Sequence, residues 1–176
     1  MHASVVTLYL TSNYGTFHKY NTSVSMVEQS STQSCDLFVY GTLTFDRVLQ
    51  ALLGHVPRKE KIEVQGFYAR TIHLDGWEDF PVLLEESGST VPGYVLKNLN
   101  AQDLARLDRY EFTDIGYYKR VVLQGDLYYY QPDKNLFSVG TLGNVWEMAE
   151  IDKNLESVYA EKVVPDFIAE NRDLFS

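Results

Sequence analysis

The sequence predicts an α+β fold in which a curved or barrel-like mixed sheet is flanked by helices. Three observations carry this prediction. Strand-like and helix-like segments follow one another in the irregular order β-α-β-β-β-α-β-(β)-α, which argues against a regular alternation of parallel units. Thirteen Tyr and nine Phe in 176 residues suit the half-buried, pleated surfaces of strands. A content of 45% hydrophobic and 22% charged residues lets a chain of this length bury one sizeable core without disulfides.

The elements follow in order. Residues 1–34 contain the Ser/Thr/Asn/Gln-rich stretch "HKYNTSVSMVEQSSTQS", which has neither helical nor strand period. They are expected to form a disordered extension, with the domain proper over 35–176. Met26 is an alternative start, and Asn21-Thr22-Ser23 matches a glycosylation triplet of a kind common by chance. Leu37–Tyr40 is a continuous apolar run, as in a strand buried on both faces. Phe45–His55 is helical, because Phe45, Val48, Leu49, Leu52 and Leu53 share one face, with Gly54 and Pro57 ending it. Lys61–Leu74 alternates as a strand, with a bulge or close approach expected at Gly66. Phe80–Ser87 and Thr90–Leu99 are two strands joined by a turn at Gly88-Ser89. Asn100 is the N-cap of a helix over Ala101–Glu111 whose apolar face holds Leu104 and Leu107. Tyr117–Gln131 holds one or two aromatic strands broken near Gly125-Asp126. After a turn region, Leu155–Phe175 forms a helix interrupted or restarted at Pro165.

Composition excludes several classes. A net charge of −9 and a pI near 4.8 argue against nucleic-acid and anionic-membrane binding, which need basic patches. One cysteine, Cys35, permits neither an intramolecular disulfide nor a cysteine-based zinc site, and fits a reducing, cytoplasmic setting. No apolar run approaches the ~20 residues of a membrane span, and the N-terminus lacks the basic region of a secretory signal. Phosphate-loop, dinucleotide, nucleophile-elbow and zincin motifs are absent, so no cofactor or metal is expected. His2, His18, His55 and His73 are scattered, and each is expected to be structural. Cys35 is expected to be a bystander, with no basic partner evident.

Two features remain. The first is the bend within "DLFVYGTLTFDRVLQALLG", Asp36–Gly54, where an apolar strand meets Tyr40-Gly41-Thr42-Leu43 and turns into a helix. Such a bend exposes backbone N–H groups to an anion or a polarised carbonyl. The second is "LARLDRYEFTDIGYYKR", Leu104–Arg120, where a helix ends on Tyr110-Glu111. A helix C-terminus carries partial negative charge, so a carboxylate there, between Tyr110 and Phe112, resists ionisation. Glu111 is therefore either a carboxyl raised toward neutrality, as a general base and acid requires, or a solvent-facing residue at a frayed helix end.

In order, "FVYGTL" (Phe38–Leu43), "VLQALLGHVP" (Val48–Pro57), "VQGFYAR" (Val64–Arg70), "FPVLLEESGSTVPGYVLKNL" (Phe80–Leu99) and "LARLDRYE…YYKR" (Leu104–Arg120) resemble the gamma-glutamylcyclotransferase-like superfamily. The similarity is to its branch of AIG2-like (avirulence-induced-gene) proteins and gamma-glutamylamine cyclotransferases, and it covers about Asp36–Tyr130. The resemblance implies a sheet closing into a small β-barrel and a cofactor-free acyltransferase reaction. That reaction turns a small-molecule gamma-glutamyl compound into pyroglutamate and a free amine. It implies Glu111 as the proton acceptor and Tyr40, Gly41, Thr42, Leu43, Thr44 and Phe45 as the substrate-binding segment. Tyr118 is a candidate hydrogen-bond donor to substrate. Arg120 either lowers the Glu111 pKa or pairs structurally, and the structural role is favoured. The segment "FTDIG" after Glu111 is longer than is common in the plant branch, and Asp114 within it is either pocket-shaping or a turn residue. The glutathione-specific branch has a different loop after its Tyr-Gly-Ser element. The alternative to an enzyme is a non-catalytic small-molecule binding or interaction domain that keeps the pocket. Hydrolysis or transfer to an outside amine is a third option.

Overall fold

The computed structural model describes residues 34–76, 79–146 and 153–175. The extension expected over residues 1–34 lies outside the described residues, save for Ser34. Six strands form one sheet: β1 (Cys35–Val39), β2 (Lys59–His73), β3 (Phe80–Leu99), β4 (Tyr118–Gln124), β5 (Leu127–Pro132) and β6 (Thr141–Val145). Their order is β4-β5-β1-β3-β2-β6. β1 runs parallel to β5, and every other neighbouring pair is antiparallel. The architecture is thus α+β, with the mixed sheet curled into a half-barrel that leaves β4 and β6 as its edges.

The apolar run in β1 follows from its burial on both faces. Leu37 and Val39 pack against Val48, Leu49, Leu52 and Leu53 of helix α1 (Asp46–Leu53). Phe38 and, two residues on, Tyr40 enter a second cluster with Val64, Leu83, Val91 and Tyr129, which contains no helical residue. Alternation of side chains along a strand makes this division. β3 lies close against β1 at Gly93, where a Cβ would fall 2.4 Å from the Phe38 ring and 2.5 Å from the Val39 carbonyl oxygen.

β2 and β3 form one long curved ribbon. Gly66 supplies the expected bulge: the ladder pairs Gln65 with Thr90 and Phe67 with Glu85, with Gly66 at φ 82° between them. The turn expected at Gly88-Ser89 is instead part of that bulge. β3 continues through it with Gly88 at φ 90°, so one strand replaces the two expected. The physical reason is that both halves keep the same partner, β2, and the surplus residues bend the ribbon without reversing it. β4 and β5 are a hairpin turned at Gly125 (φ 59°) and Asp126.

α1 is shorter than the expected Phe45–His55. Phe45 is extended at the N-cap, and Gly54, in the left-handed region at φ 83°, donates to the Gln50 carbonyl and ends the helix. Helix α2 (Ala101–Tyr110) begins as expected at Asn100, with a complete capping box. The segment expected only as a turn region holds helix α3 (Lys134–Val139) and the edge strand β6, which pairs with β2. The expected C-terminal helix is α4 (Lys153–Val158), a π-helical stretch over Tyr159–Val163 and α5 (Val164–Glu170). Pro165 lacks an N–H and its ring crowds the carbonyl four residues earlier, so the chain widens there before resuming an α-helix. Among the described residues, no helix is long and apolar enough to cross a membrane.

Candidate active site

The site forms where the end of β1 meets the end of α2. After β1 the chain passes Tyr40 and Gly41 into a single 3-10 turn, Thr42–Thr44, and then α1. Gly41 lies against Pro81 of β3, so an added Cβ would stand 3.1 Å from the proline ring. The turn is held by Gly41, whose carbonyl accepts from the Thr44 N–H at 3.0 Å and from the Thr44 hydroxyl at 2.7 Å. The Thr42 carbonyl accepts from the Phe45 N–H at 3.1 Å. Lys59 of β2 braces it by donating to the Thr44 carbonyl at 2.8 Å.

These contacts divide the expected binding segment. The Leu43 side chain is in the core, the Thr44 hydroxyl is committed to the turn, and Phe45 packs against the helical cluster. Tyr40 is buried, its hydroxyl turned to the Leu83 backbone and its ring edge-on to Trp146 at 6.4 Å. What the turn offers is the Thr42 side chain and the N–H groups of Thr42 and Leu43, which have no backbone partner among the described residues.

Glu111 stands opposite. Its N–H closes α2 on the Leu107 carbonyl at 2.9 Å, and it occupies the C-cap. The chain leaves through Phe112, which is left-handed at φ 53°, then a short 3-10 turn (Thr113–Ile115), and enters β4 at Tyr118. Burial, and next the negative charge of Asp108, push the Glu111 carboxyl up to about 7. The expected aromatic surroundings are wider than Tyr110 and Phe112. The phenols of Tyr40, Tyr110, Tyr118 and Tyr130 all lie close enough to feel the Glu111 charge, and burial first of all holds each above its ordinary range. The Tyr118 hydroxyl reaches the Pro81 carbonyl only at 3.5 Å.

Behind Glu111 lies a polar support. Asp108, one turn earlier in α2, accepts from the Tyr130 hydroxyl at 2.9 Å and faces the Arg120 guanidinium at 3.4 Å. Arg120 also lies over the Tyr128 ring at 6.0 Å and does not contribute to the Glu111 shift, so it pairs with Asp108. Asp114 is an exposed turn residue paired with Arg109 at 3.1 Å. Burial pushes the Cys35 thiol up, away from reactivity. His55 and His73 are both half exposed or more, and His73 hydrogen-bonds Asp79 at 2.9 Å. His2 and His18 lie outside the described residues.

The structure thus brings together Tyr40, Thr42, Glu111 and Tyr118. It adds Asp108 and Tyr130, which sequence reasoning did not place at the site, and it turns the Tyr110 hydroxyl, expected only as an aromatic neighbour of Glu111, toward Thr42. A signal existed for Tyr110: it follows Leu104 and Leu107 at helical spacing, on the face that must be buried.

A curled mixed half-barrel flanked by helices is a gamma-glutamylcyclotransferase-like fold. The sequence profile described as "Gamma-glutamyl cyclotransferase, AIG2-like" matches residues 37–147, and the chain belongs to that family. AIG2-like protein C of Arabidopsis thaliana is 34% identical over 93 residues, which make up 53% of this chain and 51% of that protein. The match therefore spans about half the length of that relative. A solution structure of an Arabidopsis thaliana protein overlays 81% of this chain and 95% of its own, with a TM-score of 0.50 and 18% identity, and shows the fold. A structure described as "Gamma-glutamyl cyclotransferase" covers 79% of this chain and 100% of its own, with a TM-score of 0.49 and 14% identity.

Proposed function

We propose that the protein is a gamma-glutamylcyclotransferase. It converts a gamma-glutamyl amine or peptide into pyroglutamate and a free amine, without a cofactor. The working unit is residues 35–176. The observation that carries this reading is the buried Glu111 carboxyl, raised to about 7 and set opposite the Tyr40–Phe45 segment.

The chemistry follows from that pairing. The substrate's α-amine attacks its own γ-carbonyl carbon, so holding a folded conformer supplies most of the advantage of proximity. Glu111, ionised, takes a proton from the attacking nitrogen as the ring C–N bond forms. Glu111, now protonated, returns that proton to the leaving nitrogen as the amide C–N bond breaks. A carboxyl with a pKa near 7 is suited to both steps near neutral pH. The Thr42 and Leu43 N–H groups face charge on the glutamyl group, either its carboxylate or the developing oxyanion. Tyr40 and Tyr118 wall the pocket and keep Glu111 away from water.

The test is pyroglutamate release by the wild-type protein and by Glu111→Gln, on a panel of gamma-glutamyl amines, gamma-glutamyl amino acids and glutathione. Release that depends on Glu111 supports the mechanism and names the leaving group. Normal release by Glu111→Gln would sink the assignment of the base. Binding without release from any member would favour the non-catalytic domain, and glutamate in place of pyroglutamate would mean hydrolysis.

A further inference from the structure

The Tyr110 hydroxyl is buried and has no hydrogen-bond partner among the described residues. It is turned toward the Thr42 side chain without completing a hydrogen bond. A buried polar group left in this state costs about 1–3 kcal/mol. The arrangement around it is not loose: the Tyr110 ring packs edge-on to Phe167 of α5 at 5.3 Å, which in turn packs edge-on to Phe175 at 6.0 Å. The ring is held and the hydroxyl is unused.

The charges around the pocket say what such a donor is for. A gamma-glutamyl group carries an α-carboxylate, and a buried anion must be matched by donors. The groups that act electrostatically on Glu111, Tyr40, Tyr110 and Tyr118 are carboxyls and phenols, with no Lys or Arg among them. The Arg120 guanidinium stands farther back, where it acts on Tyr130 and faces Asp108 through Nη2 at 3.4 Å, with its Nη1 buried and unpartnered. Immediately beside Glu111, the donors on offer to the substrate's carboxylate are neutral. Burial keeps the Tyr110 phenol protonated, hence a donor, across the working pH range.

We propose that the Tyr110 hydroxyl, beside Thr42, is the donor that receives the α-carboxylate of the gamma-glutamyl group. This rests on the cyclotransferase reading and adds to it a residue that selects for a free α-carboxylate. Tyr110 then binds substrate while Glu111, the next residue in the chain, handles the proton.

The experiment uses the full chain, wild type and Tyr110→Phe, with γ-glutamyl methylamide in two forms: the α-carboxylate and the α-carboxamide. Methylamine release is followed for both. For the carboxylate form, Tyr110→Phe is expected to raise KM roughly 10- to 100-fold, with kcat nearly unchanged, as loss of a hydrogen bond to a charged group predicts. For the carboxamide form the two proteins should differ little, so the preference for carboxylate shrinks. The melting temperature should not fall, because the lost hydroxyl had no partner. An unchanged KM, a fall confined to kcat, or an equal loss on both forms would overturn the proposal. If the wild type binds but releases no methylamine, the reaction is wrong, and calorimetric binding of the carboxylate form decides on Tyr110. A Kd raised by Tyr110→Phe would sustain the donor role. Equal Kd values, or no binding to the wild type, would remove it.

Discussion

The two ends of α2 are built on opposite terms. At the N-terminus the Asn100 side chain accepts from the N–H groups of Gln102 and Asp103 at 2.8 and 3.0 Å, and Asp103 accepts from the Asn100 N–H at 3.1 Å. Negative groups there meet the positive end of the helix dipole. At the C-terminus a carboxyl sits at the negative end, buried, with another carboxylate one turn behind it. The hydroxyl beside it has no partner, and the residue after it is a left-handed phenylalanine where glycine is the usual choice. One end is optimised for stability. The other holds several unfavourable arrangements together, and such a concentration is expected where groups are poised for chemistry.

The sharpest break of this comparison is functional. Glu111→Gln should lower turnover roughly 10²- to 10⁴-fold, the usual worth of a general acid and base, while far-ultraviolet circular dichroism stays unchanged. An equivalent change at the other end, Asn100→Ala, should leave kcat/KM as it was at temperatures where the protein is folded. If both variants lost turnover alike, the two ends would not be divided between stability and chemistry.

The second break is in stability against pH. The folded-state pKa of Glu111, about 7, is above its ordinary value of 4.5, so the folded protein holds this proton more tightly than the unfolded chain. That contribution is complete below pH 4.5 and is lost as pH rises through 7, for a change of about 3 kcal/mol. The favourably held carboxyls Asp36 and Asp133 titrate below this window, and they are common to wild type and variant. Urea unfolding at pH 5 and pH 8 should therefore show wild type losing stability relative to Glu111→Gln as pH rises. A difference that does not move with pH would mean the Glu111 carboxyl is not buried.

What could be read from sequence follows the same division. Asn100 announces its helix because capping is local chemistry, confined to four residues. The apolar run of β1 and the periodic face of α1 are local for the same reason. Gly66 marked its bulge, but Gly88 suggested a turn, since a sequence does not say whether the chain after a glycine returns to the same partner strand. β6 went unseen because "TLGNV" has little strand propensity of its own and owes its pairing to β2. At the candidate site, Glu111 was singled out through its odd position at a helix end and through the family resemblance. Tyr40 and Tyr118 were singled out through the resemblance and Tyr110 as the neighbour of Glu111, but Tyr130 of β5 was not, because only the pairing of β5 with β4 and β1 brings it to the end of α2.

A smaller effect probes the N-terminal end alone. Asn100→Ala should destabilise the protein by about 1 kcal/mol, measured by urea titration, because two amide donors lose their acceptor. A loss much below that would mean water replaces the cap without penalty.

The smallest effect is the most specific to the C-terminal end. The proposed general-base action by Glu111 predicts that kcat/KM rises with pH through a limb near 7. Burial is the larger cause of that value and Asp108 the lesser. Asp108→Asn keeps the shape and an oxygen able to accept from Tyr130, but removes the negative charge beside Glu111. It also leaves the Arg120 guanidinium uncompensated, and both changes favour the ionised Glu111. The limb should therefore move to lower pH by less than the whole displacement, and activity at pH 6 should rise relative to the plateau. A limb that stays in place would mean Arg120 already screens Asp108 from Glu111 and that burial alone sets the carboxyl. A limb that moves to higher pH would contradict the arrangement of charges at this end of the helix.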